Sequence, residues 1–430
     1  MRRRAILFGA PLVAAVAAAL FFFLPHGLDP VQASAAQPTG AALIEKGRYL
    51  ATAGDCAACH TAPGGQPLAG GVPFALPFGT LYSPNITPDR ATGIGGWSDA
   101  EFVRAMRHGV GRDGRDLYPA LPYASYARVS TDDLLAIRAY LATVPPVRAT
   151  APANTLAFPF NQRWLMRGWK LLFLPRPGLA PVADRSPEWN RGAYLVQGLA
   201  HCGECHTPRN LLFGPSRGRA FAGAVTQGWH AYNITSDARD GIGDWPVDEI
   251  ATYLRTGRAV GRGVANGPMA EAVTLSLSHL TGADLRAMAV YLKSLPPKAS
   301  RPPIDPHPPA LAAATVAGPA PGEPDSMGRR LFAGACASCH GWDGSGVLSS
   351  YAGLAGMAAV NDPAATNLIQ LMLHGNGTPH PDGQVYMPAF GRAYSDAEIA
   401  AVANYAVSHF GNKTGRVTPR DVAAARAAGH

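Results

Sequence analysis

The motif Cys-x-x-Cys-His occurs three times, as Cys56-Ala-Ala-Cys59-His60, Cys202-Gly-Glu-Cys205-His206 and Cys336-Ala-Ser-Cys339-His340. These copies use all six cysteines of the chain. Two intervening residues place both sulfurs on one turn of chain, and the next residue then offers an imidazole beside them. That arrangement attaches a c-type haem: the thiols add across the haem vinyl groups and the histidine binds the iron. A zinc knuckle or a disulfide framework explains one copy but not three that leave no cysteine over. The spacing predicts three covalent haem c groups, with His60, His206 and His340 as axial ligands.

A length of 430 residues also suits about three domains, and 48 Gly with 39 Pro point to loop-rich ones. The N-terminus reads as an export signal. Arg2-Arg3-Arg4 precedes an apolar run from Ala5 to Leu24, and Ala33-Ser34-Ala35 offers a cleavage site. Twenty apolar residues are also long enough to serve as an uncleaved anchor. Either way the rest of the chain is expected outside the cytoplasmic membrane, where haem is attached. The formal charge of +8 does not imply a nucleic-acid partner. Residues 1–35 carry three Arg and one Asp, so their loss leaves +6, and three haems bring roughly −6 as propionates. No basic run interleaved with aromatics is present.

The first two motifs are followed by matching text. Asn85-Ile86-Thr87 leads to Gly93-Ile94-Gly95-Gly96-Trp97, and Asn233-Ile234-Thr235 leads to Gly241-Ile242-Gly243-Asp244-Trp245. A duplication explains this, with a shorter third copy that lacks the loop. Each unit closes on an amphipathic helix, begun by Thr131-Asp132-Asp133, by Thr281-Gly282-Ala283-Asp284 and by the capping box Ser395-Asp396-Ala397-Glu398. A short helix precedes each haem motif, and Ser186-Pro187-Glu188 caps one of them. The expected fold is mainly α, with three consecutive small class I cytochrome c-like domains.

The expected boundaries are residues 1–35 for the signal or anchor, 36–148 for domain 1, 186–297 for domain 2 and 325–412 for domain 3. Residues 413–430 form a tail. Residues 298–324, rich in Pro and Ala, read as an extended spacer. Residues 149–185 instead form an aromatic strap that includes Phe158, Phe160, Trp164, Trp169 and Phe173. It either packs over a haem or between domains, or it docks a partner or the membrane surface.

Methionine opposite the histidine completes a six-coordinate electron-transfer iron. Met387 lies 47 residues after His340 and Met269 lies 63 after His206, each beside a proline. The first unit differs. Met269 is 24 residues beyond Trp245, and the residue 24 beyond Trp97 is Leu121, which cannot bind iron. The first haem is then five-coordinate, or Met106, His108 or Met166 takes the place. His108 has a second reading as a haem-edge or turn residue, because His374 holds the comparable position in unit three, where Met387 already serves.

With these motifs, the chain resembles the triple-haem cytochrome c subunits of bacterial membrane-bound dehydrogenases of alcohol, gluconate, sorbitol, fructose and aldehyde types. The resemblance spans roughly residues 40–415. It rests on Cys205-His206-Thr207-Pro208-Arg209-Asn210, the two Asn-Ile-Thr loops, Gly267-Pro268-Met269-Ala270-Glu271 and Met387-Pro388-Ala389-Phe390. It implies a membrane-associated relay on the periplasmic face, passing electrons from a catalytic dehydrogenase subunit, with or without a small subunit, to ubiquinone. It also implies His60, His206 and His340 as proximal ligands, and Met269 and Met387 as distal ones. Leu121 departs from the family's methionine loop, and the tail lacks the apolar helix that relatives can use for attachment. No dinucleotide fingerprint, flavin site or metal-hydrolase motif is present, so no catalytic residue is assigned and substrate oxidation is expected on another chain. A free-standing periplasmic carrier and a peroxidase acting at an open first haem are the competing readings.

Overall fold

The computed structural model describes residues 20–24, 27–300, 326–377, 379–380, 383–384, 386–411 and 413–428. The expected arginines of the export signal, most of its apolar run and linker residues 301–324 lie outside these. The described chain divides into two compact units. One holds the residues through Pro181 with Gln197–His201 and Leu211–Gly214. The other holds Val182–Val196, Cys202–Asn210 and the residues from Pro215 onward.

The first unit contains α1 (Gly40–Ala53), α2 (Cys56–His60), α3 (Asp99–His108), α4 (Tyr123–Tyr126), α5 (Thr131–Leu141) and α6 (Leu165–Phe173), with a hairpin β1 (Pro73–Leu76)–β2 (Gly79–Tyr82). The second contains α7 (Pro187–Tyr194), α8 (Gly203–His206), α9 (Val247–Thr256), α10 (Pro268–Leu275) and α11 (Gly282–Lys293). It continues with α12 (Met327–Ala335), α13 (Ala337–His340), α14 (Thr366–His374), α15 (Asp396–Phe410) and α16 (Pro419–Ala428). Its hairpins are β3 (Ala224–Thr226)–β4 (Trp229–Ala231), β5 (Arg258–Ala259)–β6 (Gly263–Val264) and β7 (Pro379–His380)–β8 (Gly383–Gln384). The fold is mainly α, as the sequence implies. Among the described residues no helix is long and apolar enough to cross a membrane.

The same crossing recurs three times: α1 on α5, α7 on α11 and α12 on α15. Each pair touches at a glycine. A Cβ on Gly47, Gly192 or Gly328 would collide with the backbone carbonyl of Ala136, Ala287 or Ala401, and would lie 2.9 Å from the Cβ of Tyr140, Tyr291 or Tyr405. The helices therefore meet backbone to backbone, and no larger residue fits. Lys46–Asp133 at 2.8 Å and Arg191–Asp284 at 2.7 Å brace the first two crossings. The buried faces of the closing helices are those the periodicity marks, with Leu134, Ile137, Leu285, Met288, Ile399 and Val402 all buried. Caps hold as expected at Ser186, Thr281 and Ser395, the last with a complete capping box. For α5 the cap is Ser130, one residue earlier than the Thr131 start.

From the crossing glycine to the first cysteine the spacing is nine, ten and eight residues. The longer second copy accommodates its extra residue as a π-turn, Leu195–Leu199. Within the tail, α16 packs on the third core through fully buried Val422, and Arg426 bonds Asp396. The linker's first residues are also held. Asn233 donates to Lys298 O at 2.5 Å, and Ser300 N donates to Asp240 at 3.0 Å.

Two glycines of α12 yield a paired test. Nothing lies within 4 Å of the place a Cβ on Gly334 would take, whereas Gly328 faces the Ala401 carbonyl. Gly328→Ala is expected to cost about 2–3 kcal/mol by forcing the helices apart. Gly334→Ala is expected to stabilise by about 0.5–1 kcal/mol through lower unfolded-state entropy. Denaturant unfolding of the purified protein checks both signs.

Candidate haem-binding sites

Each Cys-x-x-Cys-His copy forms a short helical turn after its crossing helix, and in each the histidine ring is held by a main-chain carbonyl. Nδ1 of His60 donates to Pro84 O at 2.8 Å, that of His206 to Tyr232 O at 2.6 Å, and that of His340 to Ala352 O at 2.6 Å. With the proton on Nδ1, Nε2 keeps its lone pair and can only act as an acceptor or ligand. Burial lowers all three imidazole pKa values, with the carbonyl opposing, so the rings are neutral at pH 7.

The thiols suit covalent attachment better than metal or redox chemistry. Burial pushes Cys56 and Cys202 up to about 12 and Cys336 up to about 11, so they are thiols rather than thiolates at neutral pH. No pair is joined as a disulfide. Among the described residues no group of three or more His, Cys, Asp or Glu gathers as a metal site. One oriented imidazole nitrogen and two adjacent thiols per copy form the donor set that haem c requires.

The repeated Asn-Ile-Thr loop explains how those carbonyls are placed. Asn85 immediately follows Pro84, and Asn233 immediately follows Tyr232. The Asn85 Oδ1 accepts from Thr87 N and Oγ1, at 2.8 and 2.7 Å, while its amide donates to Val147 O at 2.7 Å. Asn233 repeats the pattern with Thr235, at the same 2.8 and 2.7 Å, and with Lys298 O. The loop thus ties the chain leaving the closing helix to the carbonyl that orients the histidine. Gly93 and Gly241 are required there, since a Cβ would strike the Thr87 or Thr235 carbonyl. The third site has no such loop, and a 3₁₀ turn, Ser350–Ala352, presents its carbonyl instead. Sequence reasoning alone misses the acceptors Pro84, Tyr232 and Ala352. For the first two, the shared position just before Asn-Ile-Thr is the signal that would find them.

The distal loops can be brought into register from the structure. α3 and α9 end on left-handed glycines, Gly109 and Gly257, whose carbonyls accept from Leu117 N and Ala265 N, both at 2.7 Å. Four residues beyond each donor stand Leu121 and Met269. The counting from tryptophan and the hydrogen-bonded frame therefore agree. Met269 is half-buried and opens α10, following Gly267, whose Cβ position is filled by the Trp229 ring. Met387 packs against the third core and pairs with Asn376 through reciprocal backbone bonds at 2.8 and 2.9 Å. Met106 and His108 lie on α3 and Met166 on α6, all half-buried. His108 and His374 are both the last helical residue before a glycine with positive φ.

The strap supports the first distal loop. Lys170 on α6 is buried and donates to Gly109 O at 2.7 Å and to Asp116 at 2.6 Å, and Arg167 pairs with the same carboxylate at 3.2 Å. Thr155 N and Ala157 N bond Thr80 O and Phe78 O, and Phe160 stacks on Phe78 with centroids 3.9 Å apart. The inner side of the strap is therefore part of the first unit. Within the second unit, the loops carrying the two methionines are joined directly. Asn376 Nδ2 donates to Asn266 Oδ1 at 2.8 Å, and Asn367 clasps His230 through its backbone N and O at 2.7 and 3.0 Å.

Asn233→Ala removes four side-chain hydrogen bonds from a buried site. It is expected to cost roughly 2–3 kcal/mol, and the second unit should unfold at lower denaturant while the first, with Asn85 intact, is unchanged.

Comparison with known proteins identifies the family. The cytochrome c family model matches residues 44–145 and 326–409. The chain is 40% identical over 400 residues to the gluconate 2-dehydrogenase cytochrome c subunit of Pantoea cypripedii, covering 90% of each. It is 40% identical to the fructose dehydrogenase cytochrome subunit of Gluconobacter japonicus, covering 93% of this chain and 85% of that one. It is 44% identical over 381 residues to a nicotinate dehydrogenase polypeptide of Pseudomonas putida, covering 88% of this chain but spanning only 31% of that longer protein. Three oriented histidines beside paired thiols, on a repeated helix crossing, and these matches over nearly the whole length lead to one statement: the chain belongs to the family of cytochrome c subunits of bacterial dehydrogenases.

Proposed function

We propose that this chain carries three haem c groups and relays electrons from a catalytic dehydrogenase subunit to ubiquinone at the periplasmic face of the cytoplasmic membrane. Residues 36–148, 186–297 and 325–412 form the three haem domains. His60, His206 and His340 are the proximal ligands, and Met269 and Met387 the distal ones. Haem supplies a one-electron iron couple when bound. The protein supplies the neutral imidazole, its fixed tautomer, and the thioether opposite.

The observation that carries the relay is the Asn266–Asn376 bond between the two methionine-bearing loops. It joins the loops that carry Met269 and Met387, which supports a path for electrons between the second and third haems. The first site has Leu121 in the thioether's place, so a haem bound there without a substitute from Met106, His108 or Met166 would lack that stabilisation of the reduced state and would sit at lower potential. The relatives named above are subunits of gluconate and fructose dehydrogenases, which supports a catalytic partner that oxidises an alcohol, aldehyde or sugar.

Purification from membranes in mild detergent should bring down a dehydrogenase whose substrate reduces the cytochrome bands. A cytochrome that leaves washed membranes alone, with no dehydrogenase attached, would contradict the proposal. Axial-ligand identity spans roughly 0.8 V across haem proteins. Met269→Leu should lower one of the potentials by on the order of 0.1 V, and Leu121→Met should raise another by a similar amount. Spectroelectrochemical titration reads both.

A further inference from the structure

The outer side of the strap leaves large apolar side chains in solvent. Phe158 is 79% exposed and Leu171 is 69% exposed. The loop Leu211–Gly214, in the same unit, adds Leu211 at 98% exposure and the exposed Leu212. The loop packs on the strap. Trp169 Nε1 donates to Leu212 O at 3.1 Å, the Phe173 ring fills the Cβ position of Gly214, and Phe213 meets Phe78 edge-on at 5.1 Å beside the Phe78–Phe160 stack. So exposed an apolar face marks a contact with something other than water.

Two observations identify what it meets. First, the apolar N-terminal run ends on this face. Phe22 and Phe23 pack on Trp164 with ring centroids at 5.4 and 5.8 Å, and Arg167 donates to Phe21 O at 2.6 Å. Phe23 and Leu24 are themselves exposed beside it. Second, the strap carries no acid before Asp184. From Leu134 to Ala183 there is no Asp or Glu, whereas six Arg or Lys are present, of which Arg148 and Arg176 are exposed. Arg167 and Lys170 of the helix are paired with Asp116, but exposed leucines, an edge tryptophan and the flanking exposed Arg148 and Arg176 in a stretch without acids form the composition that settles onto an anionic bilayer surface.

We propose that Phe158, Leu171, Leu172, Leu211 and Leu212 form a monotopic docking face that inserts into the outer leaflet region of the cytoplasmic membrane. The occupant is anionic phospholipid rather than the catalytic subunit. The inference rests on the reading that this chain works at the membrane, and it assigns the surface that does so.

The test uses the full-length, haem-loaded chain reconstituted on vesicles. Leu171→Cys and Leu211→Cys each add one thiol, with Val347→Cys as an exposed control in the other unit. Modification by a water-soluble polyethylene-glycol maleimide is timed with and without vesicles of phosphatidylglycerol and phosphatidylethanolamine. Labelling at positions 171 and 211 should slow by at least about tenfold on these vesicles, and less on phosphatidylcholine alone, while position 347 is unaffected. Equal rates with and without vesicles would overturn the proposal. So would slowing that appears only when the dehydrogenase is added, which would make the face a protein dock. The unsubstituted chain reports separately on the haem reading, because it labels only if its native cysteines are not all in thioethers.

Discussion

Three glycines allow three pairs of helices to touch backbone to backbone, and the haem motifs hang from those contacts. Where Gly47, Gly192 and Gly328 meet the Ala136, Ala287 and Ala401 carbonyls, the first helix of each set can take only one position. The Cys-x-x-Cys-His turn follows within ten residues, so its histidine is brought to a fixed place. There a main-chain carbonyl takes the Nδ1 proton and leaves Nε2 with its lone pair for iron. Packing, tautomer and metal chemistry form one chain of causes.

The three copies share this proximal half and differ in the loops that follow. The second and third loops carry methionine and are hydrogen-bonded to each other. The first carries leucine, on a loop secured by the buried Lys170–Asp116–Arg167 group of the strap. A charged cluster of this kind is costly to desolvate and offsets that cost only when every partner is in place. It lies under the loop that carries Leu121 where the second unit's loop carries Met269, and it secures that loop by ion pairs.

Much of this is legible in the sequence because it rests on local chemistry. The haem motifs, the capped closing helices and the mainly α fold follow from spacing and periodicity. The Leu121 anomaly follows from counting between repeats. The crossing glycines are not legible, since a helical glycine has no signature until its partner helix is known. Nor are the histidine acceptors, which are backbone atoms and carry no residue identity. The packing of the tail is not legible, because Val422 and Arg426 are too few to give α16 a pattern, yet they bury and pair it. The composition of the strap allows two alternatives. Its inner side packs within the first unit, while its outer side is apolar and exposed, a division that composition alone does not reveal.

Everything proposed for this chain requires that all six cysteines are spent on haem. Intact-mass spectrometry of the purified chain, after treatment with a thiol alkylating reagent, tests this most directly. The expected result is the polypeptide mass plus three haems and no alkyl group. Two haems, or any alkylated cysteine, would contradict it.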